Sequence, residues 1–292
     1  MSRSLSSRLA VGQNVPLLLY GTAWKEGQTS KLTEKALEHG FKGLDTANYP
    51  TAYNEPLTGD GLAAALKSGV CREEIFIQSK FTPVWAHDKH KIPFDAGQSI
   101  EGQIKESIQQ SFEHLGVTYL DSLLLHVPYQ DPADNVKAWK VLETYVPNKV
   151  RLIGVSNFNL EQLKGVYEAA NIKPAIVQNR FYRETGYDIE LRSFCHDHGI
   201  LYQAFYMLRH NPELLGSDIV RETAGKFGLD REVAFYLLVL GLGDTQVLNG
   251  TKRAEVMDAD TRAVDKIFKD DEAYSTLLEF IPPFKELLSK LA

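Results

Sequence analysis

Polar residues stand at the ends of several short apolar runs, where they could carry acid, base or binding chemistry. These residues are Asp45, Lys80, His126, Ser156-Asn157 and Gln178-Asn179. A carboxylate, an ammonium and an imidazole are groups that proteins use to transfer protons and to stabilise developing charge. Each residue alone also suits a structural role, such as a helix cap. Because unpaired buried charges are costly, we expect Asp45 and Lys80 to form a pair.

The elements that carry these residues alternate between strand-like and helix-like segments. Eight short runs are typical of buried strands: 17–20, 43–45, 75–80, 121–126, 152–156, 175–178, 200–204 and 246–248. Helical periodicity occupies stretches between them, including 31–38, 62–67, 100–115, 160–169 and 189–196. Strands that are apolar on both faces and alternate with helices indicate a parallel sheet covered by helices.

Eight such units in 292 residues favour a closed (β/α)8 barrel, a TIM barrel, over an open doubly wound sheet. No Gly-x-Gly-x-x-Gly motif follows the first run, as an open dinucleotide-binding sheet would usually have. In such a barrel the site lies at the carboxyl ends of the strands, so the polar strand ends would share one rim. The irregular segment 83–98 is then expected to be an active-site loop.

The rest of the chain predicts one domain, 1–292, with no linker and no internal repeat. Residues 8–11 and 15–18 flank Gly12-Gln13-Asn14, which predicts an N-terminal β-hairpin at one end of the barrel. A final helical stretch, 271–291, contains Pro282-Pro283 and is expected to pack across the outside.

Composition excludes several classes of protein. Hydrophobic residues make up 43% and charged residues 24%, the balance of a globular protein with a sizeable core. A net charge of -6 without a long basic run argues against nucleic acid as a partner. No stretch reaches the roughly 18 apolar residues of a membrane span, so we expect no membrane partner and a cytoplasmic location. The two cysteines, Cys71 and Cys195, match no metal or redox spacing and are expected to be free thiols.

Several motifs together resemble the aldo-keto reductase family, in order and spacing, over nearly the whole chain. They are Gly21-Thr22 with Trp24, Gly43-Leu44-Asp45-Thr46-Ala47, Tyr53-Asn54-Glu55, Ser79-Lys80-Phe81, Leu120-Asp121 leading to Leu124-Leu125-His126, Ile153-Gly154-Val155-Ser156-Asn157-Phe158, and Gly250-Thr251-Lys252. The resemblance implies an oxidoreductase that passes a hydride from a nicotinamide cofactor to an aldehyde or ketone.

The resemblance also implies a catalytic tetrad of Asp45, Tyr53, Lys80 and His126. A ketone that gains a hydride at carbon needs an acid near its oxygen. Tyrosine, with an ordinary pKa of about 10, is a weak acid unless a nearby ammonium favours its phenolate. Lys80 would be that ammonium, Asp45 would hold Lys80 in place and keep it charged, and His126 would orient the carbonyl by hydrogen bonding.

The tyrosine is the one departure from the family pattern. The family usually has it five residues after the aspartate, where this chain has Pro50, so Tyr49 and Tyr53 are the available phenols. We favour Tyr53 because Asn54-Glu55 follow it as they follow the catalytic tyrosine in the family. A subset of fungal reductases is similar in carrying a longer loop here. Tyr49 as the acid, with Tyr53 a rim aromatic, is the alternative.

The cofactor side of the resemblance assigns two groups of residues. Gly21, Thr22 and Asp45 would lie along the cofactor, Ser156, Asn157 and Gln178 would bind the carboxamide, and Phe205 would stack on the nicotinamide ring. Toward the adenosine, the segment Asn249-Gly250-Thr251-Lys252-Arg253 looks like the family's site for the ribose phosphate, where cations favour NADP over NAD. Glu255 stands near the position of a phosphate-binding arginine and would repel a phosphate. Because the segment nevertheless offers the cations Lys252 and Arg253, we expect NADP, with NAD as the alternative.

The expected partner is a small-molecule carbonyl substrate, with the protein acting as a monomer. An apolar pocket is predicted from Trp24, Trp85, Val127, Tyr206 and Met207. The first alternative is a metal hydrolase using His126, His196, His198 and Asp45, although no strand carries paired histidines, so we expect no metal. The second is a non-catalytic cofactor-binding scaffold, which would not need a complete tetrad.

Overall fold

The eight apolar runs form eight parallel strands that pair in chain order and close into a barrel in the computed structural model, which describes residues 15–292. The strands are β1 (Leu18–Gly21), β2 (Gly43–Asp45), β3 (Phe76–Phe81), β4 (Leu120–Leu125), β5 (Val150–Ser156), β6 (Ile176–Arg180), β7 (Leu201–Phe205) and β8 (Thr245–Asn249). The last strand closes the barrel through the register Leu18↔Val247 and Tyr20↔Asn249. The predicted (β/α)8 barrel is thereby confirmed.

Helices connect the strands and form the outer layer. They are α1 (Thr29–Glu38), α2 (Glu55–Lys67), α3 (Ile100–Leu115), α4 (Pro132–Glu143), α5 (Leu160–Ala169), α6 (Ile189–Asp197), α7 (Pro212–Leu215), α8 (Asp218–Phe227), α9 (Arg231–Gly241), α10 (Ala254–Lys269), α11 (Asp271–Glu279) and α12 (Ile281–Leu291). Local signals set several ends. Ser99 caps α3 by accepting a hydrogen bond from the Gly102 amide, and Gly116, with φ 64°, ends it in the left-handed conformation.

The barrel interior changes from apolar to polar toward the carboxyl ends of the strands. Its floor is an apolar cluster of Val15, Leu19, Phe76, Leu124, Leu152, Ile176 and Leu201. Because alternate residues of a strand face the same side, β3 continues inward from Phe76 through Gln78 to Lys80. By the same alternation β6 continues from Ile176 through Gln178 to Arg180. Inward-facing polar groups therefore collect at the carboxyl-end mouth.

The two terminal predictions have different outcomes. The first arm and the turn of the predicted hairpin lie outside the described residues. In the second arm, residues 15–17 form no strand and Leu18 begins β1. The tail is helical, with Pro282 and Pro283 in the first turn of α12, and α11 and α12 both pack on α9. Within residues 15–292, no helix is long and apolar enough to cross a membrane.

Candidate active site

A buried ion pair lies at the centre of the mouth. The Lys80 ammonium is 2.7 Å from Asp45 Oδ2, and both side chains are almost fully excluded from solvent. Lys80 also donates to the Thr46 carbonyl oxygen at 2.9 Å. A buried pair is retained only when its remaining hydrogen-bonding capacity is satisfied, which these contacts achieve. Asp45 at the end of β2 thus fixes the position of the Lys80 ammonium near the end of β3.

Of the two candidate phenols, Tyr53 contacts this charge. Lys80 Nζ lies 3.4 Å from the Tyr53 hydroxyl and 4.8 Å from the centre of its ring. The Tyr49 ring instead packs edge-on between two imidazoles, 5.3 Å from His87 and 5.5 Å from His126. The Tyr53 ring approaches His126 as well, at 6.0 Å. Asp45, Lys80, Tyr53 and His126 are therefore neighbours.

The pKa values of this cluster reflect burial opposed by charge. Burial raises the pKa of Tyr53 above its ordinary value, and the positive charge of Lys80 only partly opposes that rise. The sequence predicted that Lys80 would favour the Tyr53 phenolate and so lower the pKa of Tyr53. The pKa is raised instead, because the cost of burying the phenolate is larger than the stabilisation by the Lys80 ammonium. Burial would lower the pKa of Lys80, but Asp45 and Tyr53 outweigh it and leave that pKa raised. At neutral pH both Tyr53 and Lys80 are therefore protonated.

His126 is held by the loop that follows β3. Its Nδ1 lies 2.7 Å from Thr82 Oγ1, and His87 Nε2 donates to the Thr82 carbonyl oxygen at 3.0 Å. Burial lowers the pKa of His126 well below its ordinary value of 6.5, and the Lys80 charge lowers it further. The imidazole is thus neutral at pH 7, with Nδ1 engaged and Nε2 available to a ligand.

A layer of glutamines supports Asp45 from below. Gln78 Nε2 donates to Asp45 Oδ1 at 2.7 Å and Gln178 Nε2 donates to the same oxygen at 2.9 Å. Gln203 joins Gln78, Gln178 and Gln246 through further amide hydrogen bonds. Sequence reasoning does not select Gln78, Gln203 or Gln246. Their alternation with apolar residues in strands is the available signal, since a glutamine inside a barrel needs a buried partner.

The segment that carries Tyr53 is anchored at the start of α2. Asn54 caps the helix by accepting from the Leu57 amide, and Glu55 is only 2% exposed. The Glu55 carboxylate accepts hydrogen bonds from Ser79 Oγ, on the outer face of β3, and from Ser111 Oγ at 2.9 Å in α3. These bonds fix the helix start against β3, and with it the position of Tyr53.

The predicted carboxamide ligands lie at the ends of β5 and β6. Ser156 Oγ donates to the Gln178 carbonyl oxygen at 2.7 Å, and Asn157 Nδ2 donates to the His126 carbonyl oxygen at 2.9 Å. Asn157 has φ 58°, a conformation that costs a non-glycine residue free energy and that collects at functional sites. Trp24 and Tyr206 share this feature, with φ 58° and 68°.

The segment 249–253 is fastened by one side chain of β1 and one of the loop that follows it. Tyr20 OH donates to the Thr251 carbonyl oxygen at 3.0 Å, and Lys25 Nζ donates to the Gly250 carbonyl oxygen. Burial, followed by the charge of Lys252, lowers the pKa of Lys25 to about 8. Sequence reasoning does not select Lys25, although its place four residues beyond β1 is a usable signal. Lys252 and Arg253 are exposed beside it.

Asn249 has a different environment from its neighbours in this segment. It is buried, its Nδ2 donates to Asp260 Oδ2 in α10, and its Oδ1 accepts from the Thr251 amide at 2.9 Å. Burial raises the pKa of Asp260 to about 6. The Asn249 side chain thus shapes the turn that presents Gly250 and Thr251.

Thr22, which follows the last residue of β1, is also buried. It donates hydrogen bonds from both its amide and its hydroxyl to the Asp45 carbonyl oxygen.

Aromatic side chains surround the mouth. Within residues 15–292, three of the four large hydrophobic side chains that are exposed belong to loops at the carboxyl ends of strands: Trp24, Trp85 and Tyr206. Exposed apolar groups gathered in one place indicate a binding surface. Phe205 and Val127 are half-buried at the ends of β7 and β4. Met207 is 3% exposed, so it belongs to the core and not to the predicted pocket.

The metal-hydrolase alternative receives no support from the side-chain positions. His196 Nδ1 lies 2.6 Å from Asp244 Oδ2, just before β8, at the opposite end of the barrel from His126. Among residues 15–292, no three histidine, cysteine, aspartate or glutamate side chains cluster as a metal ion would require.

Comparison with known proteins gives concordant matches. The family model described as "Aldo/keto reductase family" matches residues 19–229. The chain is 32% identical to the glyoxal reductase of Bacillus subtilis (strain 168) over 231 residues, covering 77% of this chain and 76% of that protein. It is 28% identical to the D/L-glyceraldehyde reductase of Hypocrea jecorina, covering 95% of this chain and 88% of that protein.

Solved structures share the fold. The aldose reductase from Schistosoma japonicum superposes with a TM-score of 0.75 at 23% identity, covering 93% of this chain and 90% of that one. An aldo-keto reductase, MGS-M4, from a Medee basin deep-sea metagenome library gives a TM-score of 0.74 at 24% identity, with 94% of each chain covered. Together with the family match, these findings show that the chain belongs to the aldo/keto reductase family, oxidoreductases that reduce aldehydes and ketones with a nicotinamide cofactor.

Proposed function

We propose that this chain is an NADPH-dependent reductase of aldehydes or ketones in which Tyr53 protonates the carbonyl oxygen. The observation that carries the proposal is the 3.4 Å contact between Lys80 Nζ and the Tyr53 hydroxyl, with Asp45 2.7 Å from the same ammonium. A proton donor needs a group that stabilises its conjugate base at the moment of transfer. Lys80 is that group for Tyr53.

The reaction needs a hydride at the carbonyl carbon, and a reduced nicotinamide supplies it when bound. As negative charge develops on the carbonyl oxygen, Tyr53 gives up its hydroxyl proton to that oxygen, and the product is an alcohol. The Lys80 ammonium, 4.8 Å from the ring centre, stabilises the phenolate left behind. Asp45 keeps Lys80 charged and in place. Because burial raises the pKa of Tyr53, the phenol is in its acid form before each turnover.

His126 orients the carbonyl in this proposal. A neutral imidazole whose Nδ1 is engaged by Thr82 can donate a hydrogen bond from Nε2 to the same oxygen that Tyr53 protonates. Its low pKa keeps a second full positive charge away from Lys80. Thr82 and His87 then act as positioning residues, since they touch His126 or its loop and not the reacting atoms.

The residues present fit a nicotinamide dinucleotide. Ser156 and Asn157 place a hydroxyl and an amide group together at the end of β5, as a carboxamide ligand requires, and Gln178 pairs in register with Ser156 in β6. Phe205 is half-buried at the mouth, where it can stack on an aromatic ring. Gly21 ends β1 beside Asp45 in the strand register, and a glycine there leaves room for the cofactor.

The phosphates of the dinucleotide are assigned to the cationic group around Gly250. Lys25, Lys252 and Arg253 provide positive charge, and α10 begins directly after Arg253, so its N-terminal amides favour an anion as well. Glu255, in the first turn of that helix, is the carboxylate that opposes a ribose phosphate at this position. NADP is favoured because these three cations outnumber the single carboxylate of Glu255.

Phenylalanine variants of the two tyrosines test the catalytic assignment. We expect Tyr53→Phe to lower kcat for an aldehyde by about 10²-fold or more, because it removes the proton donor. Tyr49→Phe serves as the matched control and should retain kcat within about threefold, since phenylalanine keeps the ring that packs on His87 and His126. The dissociation constant of NADPH, measured by fluorescence, should change little in either variant. Undiminished turnover in Tyr53→Phe would refute the assignment.

A charge reversal tests the dinucleotide preference. The wild-type protein should bind NADPH more tightly than NADH, and Glu255→Arg should strengthen NADPH binding by about tenfold without a similar gain for NADH. Glu272→Arg is the matched control, because the length of α10, roughly 24 Å, separates it from Glu255. Equal affinity for both cofactors in the wild-type protein would overturn the preference for NADP.

We infer further that residues 1–292 act as one catalytic domain, as a monomer in the cytoplasm. The strands and helices of the barrel and its C-terminal tail extend from Leu18 at the start of β1 to Leu291 at the end of α12, which supports a single domain. Cys71 and Cys195 are both free thiols, which suits a reducing compartment. Size-exclusion chromatography with light scattering would test the monomer.

A further inference from the structure

Arg180 is a charged residue of the mouth that the reaction described above does not use. It is the last residue of β6 and lies two residues beyond Gln178, whose side chain reaches Asp45 inside the barrel. Alternation along the strand puts Arg180 on the same inner face, roughly 6.6 Å nearer to the mouth. Its guanidinium is 5.9 Å from the centre of the Phe205 ring and 5.5 Å from that of Tyr206.

These contacts hold the guanidinium beside two aromatic rings at the ends of β6 and β7. Arg180 pairs in register with Phe205 of β7, the residue assigned to the nicotinamide ring. Tyr206 is fixed in turn by stacking on His210, with the ring centres 3.6 Å apart and the planes at 4°. Cations bind favourably over aromatic faces, and such contacts restrict the arginine without using its hydrogen-bond donors. The positive charge of Arg180 also contributes to the low pKa of His126, after burial, Lys80 and His87.

The charge of Arg180 has no acidic partner in the part of the chain that the structure describes. Among residues 15–292, no carboxylate forms an ion pair with it. The nearby Arg183, three residues further along the chain, is paired with Glu213 at 3.4 Å. An arginine that lies at a binding mouth without an ion-pair partner is suited to a planar anion. A guanidinium binds such an anion through two parallel hydrogen bonds.

We propose that Arg180 selects aldehydes or ketones that carry a carboxylate, so that the substrate class of this reductase is the aldehyde acids and oxo acids. The proposal rests on the carbonyl reduction described above. The substrate carbonyl would lie between Tyr53 and His126, and its carboxylate would lie across the mouth on Arg180. The strands β4 and β6 are two strand spacings apart, about 10 Å, which leaves room for a short spacer between the two groups.

One arginine matches a carboxylate better than a phosphate. A phosphate dianion is usually held by several cations or by a helix N-terminus, as at Lys25, Lys252 and Arg253 near the end of β8.

The test uses one ring with different groups opposite the aldehyde: 4-carboxybenzaldehyde, its methyl ester, and 4-formylphenyl phosphate. For the wild-type protein we expect kcat/KM for the carboxylate to exceed that for the ester by about tenfold or more, which corresponds to about 1.4 kcal/mol. In Arg180→Met this ratio should fall to about one, and Arg180→Lys should retain part of it, because a lysine keeps the charge without the planar fork. Arg183→Met is the matched control and should keep the wild-type ratio.

Each outcome has a separate meaning. A wild-type ratio of one or less, or a ratio that survives Arg180→Met, would overturn the proposal while leaving the reductase activity intact. A preference for the phosphate over the carboxylate would overturn the assignment of a carboxylate. If NADPH is oxidised with none of the three aldehydes, including the neutral ester, the proposed carbonyl-reductase function itself fails. The unfolding midpoint of each variant shows whether a lost ratio comes from a lost fold.

Discussion

The charge of Lys80 is the residue-level feature on which the proposed chemistry depends. Its pKa stays raised although burial acts against the ammonium, because Asp45 lies 2.7 Å away and Tyr53 adds a favourable contact. Two glutamines in turn satisfy the other oxygen of Asp45. Removing one partner of such a pair leaves an uncompensated buried charge. In the proposed reaction, the positions of Asp45 and Lys80 therefore define where a phenol can work as an acid.

The strand-end residues were predictable from sequence because polar groups that end apolar strands must face either a helix start or the mouth. The choice between Tyr49 and Tyr53 depended on a motif, since both lie in a loop whose path no local pattern determines. Lys25 was missed for a related reason. Its burial comes from the segment 249–253, which is far away in sequence and packs against it only after the barrel closes.

Lys25 leads to a prediction on pH. Its pKa of about 8 means that the amine is charged below pH 8 and neutral above it. Because we assign Lys25 to the cofactor phosphates, dinucleotide binding should be tight at pH 7 and weaken as the pH rises through 8. The expected change is up to tenfold per pH unit above that point. Fluorescence titration with NADPH between pH 6.5 and 9.5 measures it.

Two variants locate the effect. Lys25→Met should bind NADPH more weakly at pH 7 and lose the pH dependence around 8. Lys42→Met, which changes an exposed lysine paired with Glu74, should keep the wild-type profile. A profile that is unchanged in Lys25→Met would assign the titration to another group.

At the level of elements, helix α2 determines where Tyr53 stands. The helix begins at Glu55, two residues after the tyrosine, and the buried Glu55 carboxylate fastens it to Ser79 and Ser111. Sequence periodicity predicted helix only from residue 62, because Gly59 and Gly61 weaken the helical signal of the first turns. These glycines reflect tertiary packing, which a local pattern does not contain.

Gly59 allows α2 to lie directly against the end of α3. A Cβ atom at position 59 would be 1.9 Å from the His114 carbonyl oxygen, so one of the two backbones would have to move. We therefore expect Gly59→Ala to destabilise the protein by about 2 kcal/mol or more, although alanine is the better helix former. Since the shift would displace the start of α2, kcat should fall as well. Thermal unfolding and steady-state kinetics measure the two effects.

Gly165 provides the matched comparison for this prediction. It lies inside α5, and a Cβ atom added there would meet no atom of another described element within 4 Å. Gly165→Ala should therefore stabilise the protein by about 0.5–1 kcal/mol and leave kcat unchanged. If Gly59→Ala were as stable and active as Gly165→Ala, close helix packing would not be what positions Tyr53.

At the level of the whole molecule, the sequence was sufficient to predict the barrel. All eight strand-like runs overlap the eight strands, because strands buried on both faces form continuous apolar runs that are bounded by polar residues. The order of the strands follows from short connections between consecutive units. The sequence pattern was insufficient for the glutamine layer and for the rim of exposed aromatics, which depend on which strand faces meet inside the closed barrel.

The distribution of charge also belongs to this level. The chain has a net charge of -6, yet Lys25, Arg180, Lys252 and Arg253 all lie at or near the ends of β1, β6 and β8. A cationic mouth on an otherwise anionic molecule concentrates anions where they react. Both the dinucleotide and a carboxylate-bearing substrate are anions, so the same field would serve the cofactor and the substrate.

The central claim is that Tyr53, supported by Lys80 and Asp45, is the acid of the reaction. A crystal structure with NADP⁺ and the alcohol product of a reduced aldehyde tests it most directly. We predict that the alcohol oxygen lies within about 3.2 Å of both the Tyr53 hydroxyl and His126 Nε2. The account would be contradicted if the Tyr49 hydroxyl occupied that place and Tyr53 lay beyond hydrogen-bonding distance of the product.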